Sequence, residues 1–155
     1  MRKIEKIYRQ LGISWFLILI FFAWLLFAKL YSLIENTYFA SNRETVKVFN
    51  NRLWFEVIEV AIIGPLVETF INQFLVIKLT KKVLDKFSIY LSAIIFAILH
   101  LDYYWFMYFF VFGLILATLF YFFQYITKRN AFLICFLFHF AWNLYAVLEN
   151  HFSSV

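Results

Sequence analysis

The stretch Phe87–Ile126 reads FSIYLSAIIFAILHLDYYWFMYFFVFGLILATLFYFFQYI, forty residues with a single charged side chain, Asp102. A helix needs about 20 apolar residues to cross a bilayer, so this stretch is long enough for two crossings. Because Asp102 divides it, we predict a short helix that ends near His100 and a longer helix that begins near Trp105. The stretch therefore predicts membrane-spanning helices.

Further apolar stretches lie on both sides of this pair. Residues 13–33 form a full span that we expect to remain as an N-terminal anchor, and residues 53–79 and 131–148 supply two more spans. Of the whole chain, 65% of residues are hydrophobic and 15% are charged, which excludes a water-soluble globule and a disordered chain. We therefore predict an all-α, polytopic membrane helix bundle of about five transmembrane helices. Residues 1–155 would form one integral-membrane domain, with the anchor over residues 11–34.

Basic residues are distributed unevenly between the two ends of the predicted spans. Ten of the 14 Lys and Arg residues lie in the N-terminal segment, in the segment 78–86 and in the turn 128–129, whereas Arg43, Lys47 and Arg52 lie on the opposite side. The positive-inside rule then places the N-terminus in the cytoplasm and the C-terminus outside. Since the charges occupy short segments between apolar stretches, the net charge of +5 indicates membrane orientation and not nucleic-acid binding.

Three ionisable side chains, Glu68, His100 and His139, fall within the predicted spans. Charged residues within lipid cost about 2.5–3.5 kcal/mol, so such groups are expected to face the bundle interior. Each has a companion four residues away on the same helix face, and these companions are Asn72, Phe96 and Asn143. We expect the three helix faces that carry these pairs to meet inside the bundle. A carboxylate and two imidazoles suit general acid–base chemistry. The same three side chains could also hold zinc with one position left for water. The spacing in the sequence does not distinguish between these two roles.

Pro65 lies three residues before Glu68. A proline inside a helix removes one hydrogen bond and clashes with the carbonyl of Ala61, so the helix should kink or open one turn before the carboxylate. Such an opening would admit water or a substrate backbone beside Glu68. An ordinary kink without a functional role is an equally good interpretation, because proline is common in membrane helices.

Three motifs carry a resemblance to a known family: Pro65-Leu-Val-Glu68-Thr69-Phe-Ile-Asn-Gln73, Phe96-Ala-Ile-Leu-His100 and His139-Phe-Ala-Trp-Asn143. They resemble the EExxxR, FxxxH and HxxxN/D motifs of the CPBP intramembrane proteases, a family that includes CAAX prenyl endopeptidases and bacteriocin-processing or self-immunity proteins. The order and spacing match from Pro65 to Asn143, and Gly113 also resembles a glycine that the family often carries. The resemblance implies a family-like core over residues 53–150 and an intramembrane endopeptidase activity.

The resemblance also implies roles for individual residues. Glu68 would activate a water molecule for attack on a peptide carbonyl, His100 would help to hold that water, and His139 and Asn143 would stabilise the oxyanion. Supporting roles are expected for Thr69, Asn72, Gln73 and Phe96. We expect no cofactor. In a metal-dependent enzyme, zinc would be held by Glu68, His100 and His139.

The first motif departs from the family pattern at two positions. Thr69 replaces the second Glu and Gln73 replaces the Arg. We interpret this as a coordinated substitution, in which two neutral groups four residues apart keep each other's hydrogen bonds satisfied. The loss of one potential metal ligand favours a glutamate-dependent mechanism without metal. The loss of a guanidinium that could orient the carboxylate keeps a second hypothesis open, an inactive or weak family member that acts as a membrane immunity or peptide-binding protein.

The expected partners are a peptide or protein substrate at the membrane and the lipid bilayer itself. Prenylated CAAX peptides are a substrate class at the level of the family, although so short a chain more closely resembles the bacterial members. We therefore expect an integral protein of a bacterial inner membrane. A transporter fits less well, because no inverted repeat is visible. The predicted orientation places His100 and Asn143 in the outer half of the bilayer, so we expect the site to open outward.

Overall fold

The computed structural model describes residues 2–38, 53–100 and 105–153, and nearly all of these residues are helical. These ranges contain no strand, so the predicted all-α class is confirmed. Asp102 and the three basic residues Arg43, Lys47 and Arg52 lie outside the described residues.

The chain divides into two compact units, residues 1–50 and residues 51–155. The first contains α1 (Arg2–Tyr38), a helix of 37 residues with a kink at Gly12, where φ is 73°. Glycine adopts a positive φ without steric cost, so the kink can form at this position. It separates the basic N-terminal segment, which includes an ion pair between Arg9 and Glu5, from the apolar part of α1.

The second unit is built from α-helices joined by short segments. In its described part the α-helices are α2 (Leu53–Glu56), α3 (Gly64–Glu68), α4 (Ile77–Leu84), α5 (Ser88–Leu99), α6 (Phe106–Tyr121) and α7 (Ala131–Ser153). Wider π-helical segments lie between α2 and α3 (Val57–Ile63), between α3 and α4 (Thr69–Val76) and after α6 (Phe122–Ile126). A short 3-10 turn, Asp85–Phe87, precedes α5.

Residues 53–84 form one continuous helical run, which we call the glutamate helix. Two π-helical segments, of seven and eight residues, lie on either side of α3, which contains Pro65 and Glu68. π-helical turns are rare and occur frequently at functional sites. The proline contributes to this irregularity, because it has no N–H to donate to the preceding turn.

The middle of the glutamate helix turns three polar side chains inward. Thr69, Asn72 and Gln73 are buried, whereas the neighbouring Phe70 and Ile71 are exposed. Lipid cannot hydrogen-bond to polar groups, so a membrane helix is expected to bury them and to expose apolar side chains. This arrangement is the reverse of that in a water-soluble protein.

Four helical stretches in the described residues are long and apolar enough to cross a membrane, Lys3–Ile34, Leu53–Leu99, Phe106–Ile126 and Ala131–Phe152. The second has two arms, because the chain turns at Asp85, where φ is 47°. The Ser92 hydroxyl donates to the backbone carbonyl of Asn72 at 2.7 Å, which places the arms side by side. The second arm, α5, is about 18 Å long at 1.5 Å per residue, so it is a shorter helix of the second unit. It ends at Leu99 and α6 begins at Phe106, as predicted from the sequence.

Gly113 allows α5 and α6 to approach closely. A Cβ atom at this position would lie 3.1 Å from both Ala93 Cα and Phe96 Cβ. Small residues permit such close contact between membrane helices. The contact fixes the position of Phe96, which is fully buried one turn before His100.

Candidate active site

Three helices bring Glu68, His100 and His139 together. Glu68 ends α3, His100 directly follows α5, and His139 lies in α7. The Glu68 Oε2 atom lies 3.6 Å from His139 Nε2 and 3.8 Å from His100 Nε2. Both imidazoles therefore direct the same ring nitrogen at one carboxylate oxygen.

The His100 ring is held by two aromatic rings and at one nitrogen. Its centroid lies 3.8 Å from that of Phe109, in a stacked arrangement, and 4.6 Å from that of Phe96. Its Nδ1 atom is 2.8 Å from the backbone carbonyl oxygen of Phe96. Since a carbonyl oxygen only accepts, Nδ1 must carry the proton and donate, which leaves Nε2 of the neutral ring as an acceptor.

His139 is almost fully buried, with 2% of its surface exposed. The rings of Phe112 and Phe96 lie with their centroids 5.2 and 5.8 Å from the imidazole. Its Nδ1 atom lies 3.5 Å from the hydroxyl of Thr69. A hydroxyl donates as well as accepts, so this contact is compatible with either tautomer of His139, unlike the contact at His100.

The carboxylate of Glu68 is held less firmly than the imidazoles. Its Oε2 atom is buried and has no hydrogen-bond partner among the residues that the structure describes. The distances of 3.6 and 3.8 Å to the two Nε2 atoms exceed that of a direct hydrogen bond. The three atoms are close enough, however, to share a small ligand such as one water molecule.

Asn143 connects α7 to the glutamate helix. Its side-chain Nδ2 donates to the backbone carbonyl of Val60 at 2.9 Å. An amide nitrogen has two donors, and this bond uses one of them. Asn143 thus has a structural role in joining helices and a second N–H for another acceptor.

All four predicted catalytic residues line one cavity with a volume of about 420 Å³. Its remaining wall is mainly apolar and is formed largely by α6 and α7, with aromatic side chains Phe96, Tyr108, Phe109, Phe112 and Trp142. A cavity of this size with a few polar groups is typical of a ligand-binding site. Apart from Phe96, the sequence did not identify these aromatic residues, because helical spacing alone gives no signal that separates cavity-lining from lipid-facing rings.

The four predicted supporting residues lie next to the cavity or behind it. Phe96 lines the cavity, Thr69 contacts His139, and Asn72 and Gln73 are buried farther along the glutamate helix. The expected mutual hydrogen bonding of Thr69 and Gln73 is wrong. The Thr69 hydroxyl faces His139 instead, and both side-chain polar atoms of Gln73 have no partner among the described residues.

The donor set at Glu68 has the chemistry that zinc prefers, since it combines one carboxylate with two imidazoles. The spacing is wider than that of a bound ion, because donors at about 2.1 Å around a tetrahedral ion lie roughly 3.4 Å apart. Among the described residues, no group of three or more His, Cys, Asp or Glu side chains has a metal-binding arrangement. A zinc ion at this site would be held by Glu68, His100 and His139.

Comparison with known proteins gives one match. A family model described as "Type II CAAX prenyl endopeptidase Rce1-like" matches residues 50–145, which is more than half of the chain and includes every residue that contributes to the cavity except Ala146. No curated protein and no solved structure matches the chain.

Proposed function

The chain belongs to the Rce1-like type II CAAX prenyl endopeptidase family, and we propose that it is an intramembrane endopeptidase in which Glu68 activates the hydrolytic water. It is an integral membrane protein of a protease family, so its substrates are peptides or proteins at the bilayer. One observation carries the proposal. The Nε2 atoms of His100 and His139 both lie within 3.8 Å of the buried Glu68 Oε2, at the wall of a cavity.

The hydrogen-bond partners of the two imidazoles support different roles for them. His100 is fixed as an acceptor at Nε2, so it can accept a hydrogen bond from a water molecule that also donates to Glu68. The Thr69 hydroxyl can donate to Nδ1 of His139, and Nε2–H of His139 then becomes a donor. A donor at this position can stabilise an oxyanion, together with the second N–H of Asn143.

The reaction then needs no group beyond these side chains and water. Glu68 takes one proton as the water oxygen bonds to the peptide carbonyl carbon, and the carbonyl oxygen becomes the oxyanion beside His139 and Asn143. Glu68 next donates this proton to the leaving nitrogen as the carbon–nitrogen bond breaks. If zinc is bound by Glu68, His100 and His139, it would polarise the carbonyl and lower the pKa of the water.

The family description makes a prenylated CAAX peptide the first substrate to test. The aromatic wall of the cavity is compatible with an apolar group on the substrate, and its volume of about 420 Å³ fits a large side chain. We further propose that the N-terminus is cytoplasmic in a bacterial inner membrane and that the cavity opens outward. Labelling of a cysteine placed at Asp102 tests this orientation, and protection from an external reagent would contradict it.

The decisive experiment compares wild type with Glu68→Gln for cleavage of a candidate peptide in lipid nanodiscs. We expect a loss of about 10²- to 10⁴-fold, since the amide cannot act as a base. Glu59→Gln is the matched control, because Glu59 lies exposed on the same helix, and it should retain full activity. Cleavage that persists in Glu68→Gln would overturn the mechanism. Loss of wild-type activity with a chelator, and recovery with zinc, would assign the metal-dependent form.

A specific observation keeps the second candidate function in view. Thr69 and Gln73 stand where the family pattern has Glu and Arg, so this chain lacks the usual ionic pair. A peptide-binding or immunity protein would bind the same peptides and leave them intact. Peptide binding that persists while neither wild type nor any variant cleaves would favour this alternative.

A further inference from the structure

The polar side chains that the structure buries all belong to one region of the second unit. Among the described residues these are Thr69, Asn72, Gln73, Ser88, Ser92 and His139. Three of them lie on one π-helical segment of the glutamate helix and two on the facing side of α5. None except His139 lines the aromatic cavity. The remaining five therefore form a separate polar region behind Glu68, which we call the polar column.

Contacts and single helical turns connect the polar column from end to end. The Ser88 hydroxyl donates to the backbone carbonyl of Asp85 at 2.5 Å, at the exposed turn between the two arms. Ser92 lies one turn after Ser88 and donates to the carbonyl of Asn72 at 2.7 Å. Asn72 lies four residues after Glu68 on the same helix face. Polar residues thus recur about one helical turn apart between the Asp85 turn and Glu68.

The centre of the polar column contains two amides without partners. The side-chain nitrogen and oxygen of both Asn72 and Gln73 are buried and form no hydrogen bond within the described residues. Asn72 is 1% exposed and Gln73 is fully buried, so neither reaches outside the protein. Buried polar atoms in native proteins are satisfied by protein groups or by ordered water.

We propose that Asn72 and Gln73 bind ordered water and that the polar column supplies water to Glu68 from the Asp85 turn. The inference rests on the proposed function in one respect, that Glu68 consumes water in hydrolysis. A peptide in the aromatic cavity excludes water from that side of the carboxylate. The polar column reaches Glu68 from the other side, so substrate and water arrive by different routes.

Glutamine side chains provide a direct test, because the chain has only Gln10, Gln73 and Gln124. The full-length wild-type protein, labelled with ¹⁵N at the glutamine side-chain amides, is studied in lipid nanodiscs by magnetisation transfer from water. Gln10 and Gln124 are exposed and serve as internal references. The Gln73 signal is assigned by its disappearance in Gln73→Met, or by elimination with Gln10→Glu and Gln124→Glu if that variant does not fold.

We expect transfer from water to the Gln73 amide as well as to both exposed references. Transfer to both references without transfer to Gln73 would overturn the proposal. This measurement needs neither substrate nor activity. A hydrated Gln73 in a protein that cleaves no peptide would count against the proposed function alone, whereas a dry Gln73 in an active enzyme would refute the water route alone.

Discussion

The glutamate helix and α7 bring polar groups to the same cavity by different means. α7 is an uninterrupted α-helix of 23 residues that buries His139 among aromatic rings, with only 2% of the residue exposed. The glutamate helix changes its winding on both sides of Glu68, whose side chain is 32% exposed and whose Oε2 has no hydrogen bond from the described residues. The imidazole is thus packed in place, whereas the carboxylate retains freedom to move.

This difference matches the tasks that we assign to the two groups. An oxyanion donor is most effective when it is fixed before the reaction, since its reorganisation would add to the barrier. A general base must take a proton from water and then deliver it to a leaving nitrogen, so it benefits from some freedom. We therefore expect substitutions around His139 to affect stability and activity together, and substitutions around Glu68 to affect activity alone.

The largest expected contrast is between His139→Ala and Glu68→Gln. His139→Ala leaves a cavity between Phe96 and Phe112, so it should destabilise the protein by about 2–3 kcal/mol and also abolish cleavage. Glu68→Gln should lower cleavage by about 10²- to 10⁴-fold, while stability stays within about 1 kcal/mol of wild type because the amide has nearly the same volume. Thermal unfolding of both variants in nanodiscs measures their stability, and peptide cleavage measures their activity. Equal losses of stability would show that the two sides of the site do not differ in rigidity.

The second contrast uses two glycines, one on each side of the site. In Gly113→Ala the new Cβ would lie 3.1 Å from Ala93 Cα and Phe96 Cβ, closer than a normal carbon–carbon contact, so α5 must shift and carry His100 with it. We expect a stability loss of about 1–3 kcal/mol and lower activity.

Gly64→Ala is the matched control for this substitution. The new Cβ would lie 3.4 Å from the Glu59 carbonyl oxygen and 3.9 Å from Glu68 Oε1, both ordinary contacts, so the main cost is the restriction that Pro65 places on the preceding residue. We expect a smaller loss, below about 1 kcal/mol. A loss at Gly64 as large as that at Gly113 would contradict the interpretation that α5 and α6 pack more tightly than the helix around Glu68.

The two regions also differ in how well the sequence predicted them. Hydropathy predicted α7 and the break between α5 and α6, because apolar length and an interrupting charge are local properties of the sequence. The residues around Glu68 were identified by motif, and Pro65 indicated an irregular helix. The π-helical segments were not predicted. Whether a backbone N–H bonds to the carbonyl four or five residues earlier depends on tertiary packing, and π-helices have no characteristic amino-acid composition. The contact of Thr69 also depends on tertiary packing. We therefore predicted a hydrogen bond between Thr69 and Gln73, whereas Thr69 contacts His139 in the structure.

The smallest expected effect concerns Thr69, where the two regions meet. Thr69→Val keeps the shape of the side chain but removes the hydroxyl 3.5 Å from His139 Nδ1. One such hydrogen bond contributes about 1 kcal/mol, so we expect a loss of cleavage of about fivefold. Stability should be unchanged or slightly higher. Thr80→Val is the control on the same helix, because the Thr80 hydroxyl donates only to the backbone carbonyl of Val76, away from the cavity, and its activity should match that of wild type.

If Thr69 positions His139, Thr69→Val should change the tautomer of His139 as well as lower the cleavage rate. The chain has three histidines, so ¹⁵N spectra of histidine-labelled protein can follow the tautomer of each one. In Thr69→Val, His139 loses the donor to Nδ1 and should shift away from its Nε2–H tautomer, while His100 keeps its bond to the Phe96 carbonyl and stays unchanged. A lower rate with an unchanged His139 tautomer would mean that Thr69 acts through packing, and the imidazole would then owe its orientation to Phe96 and Phe112 alone.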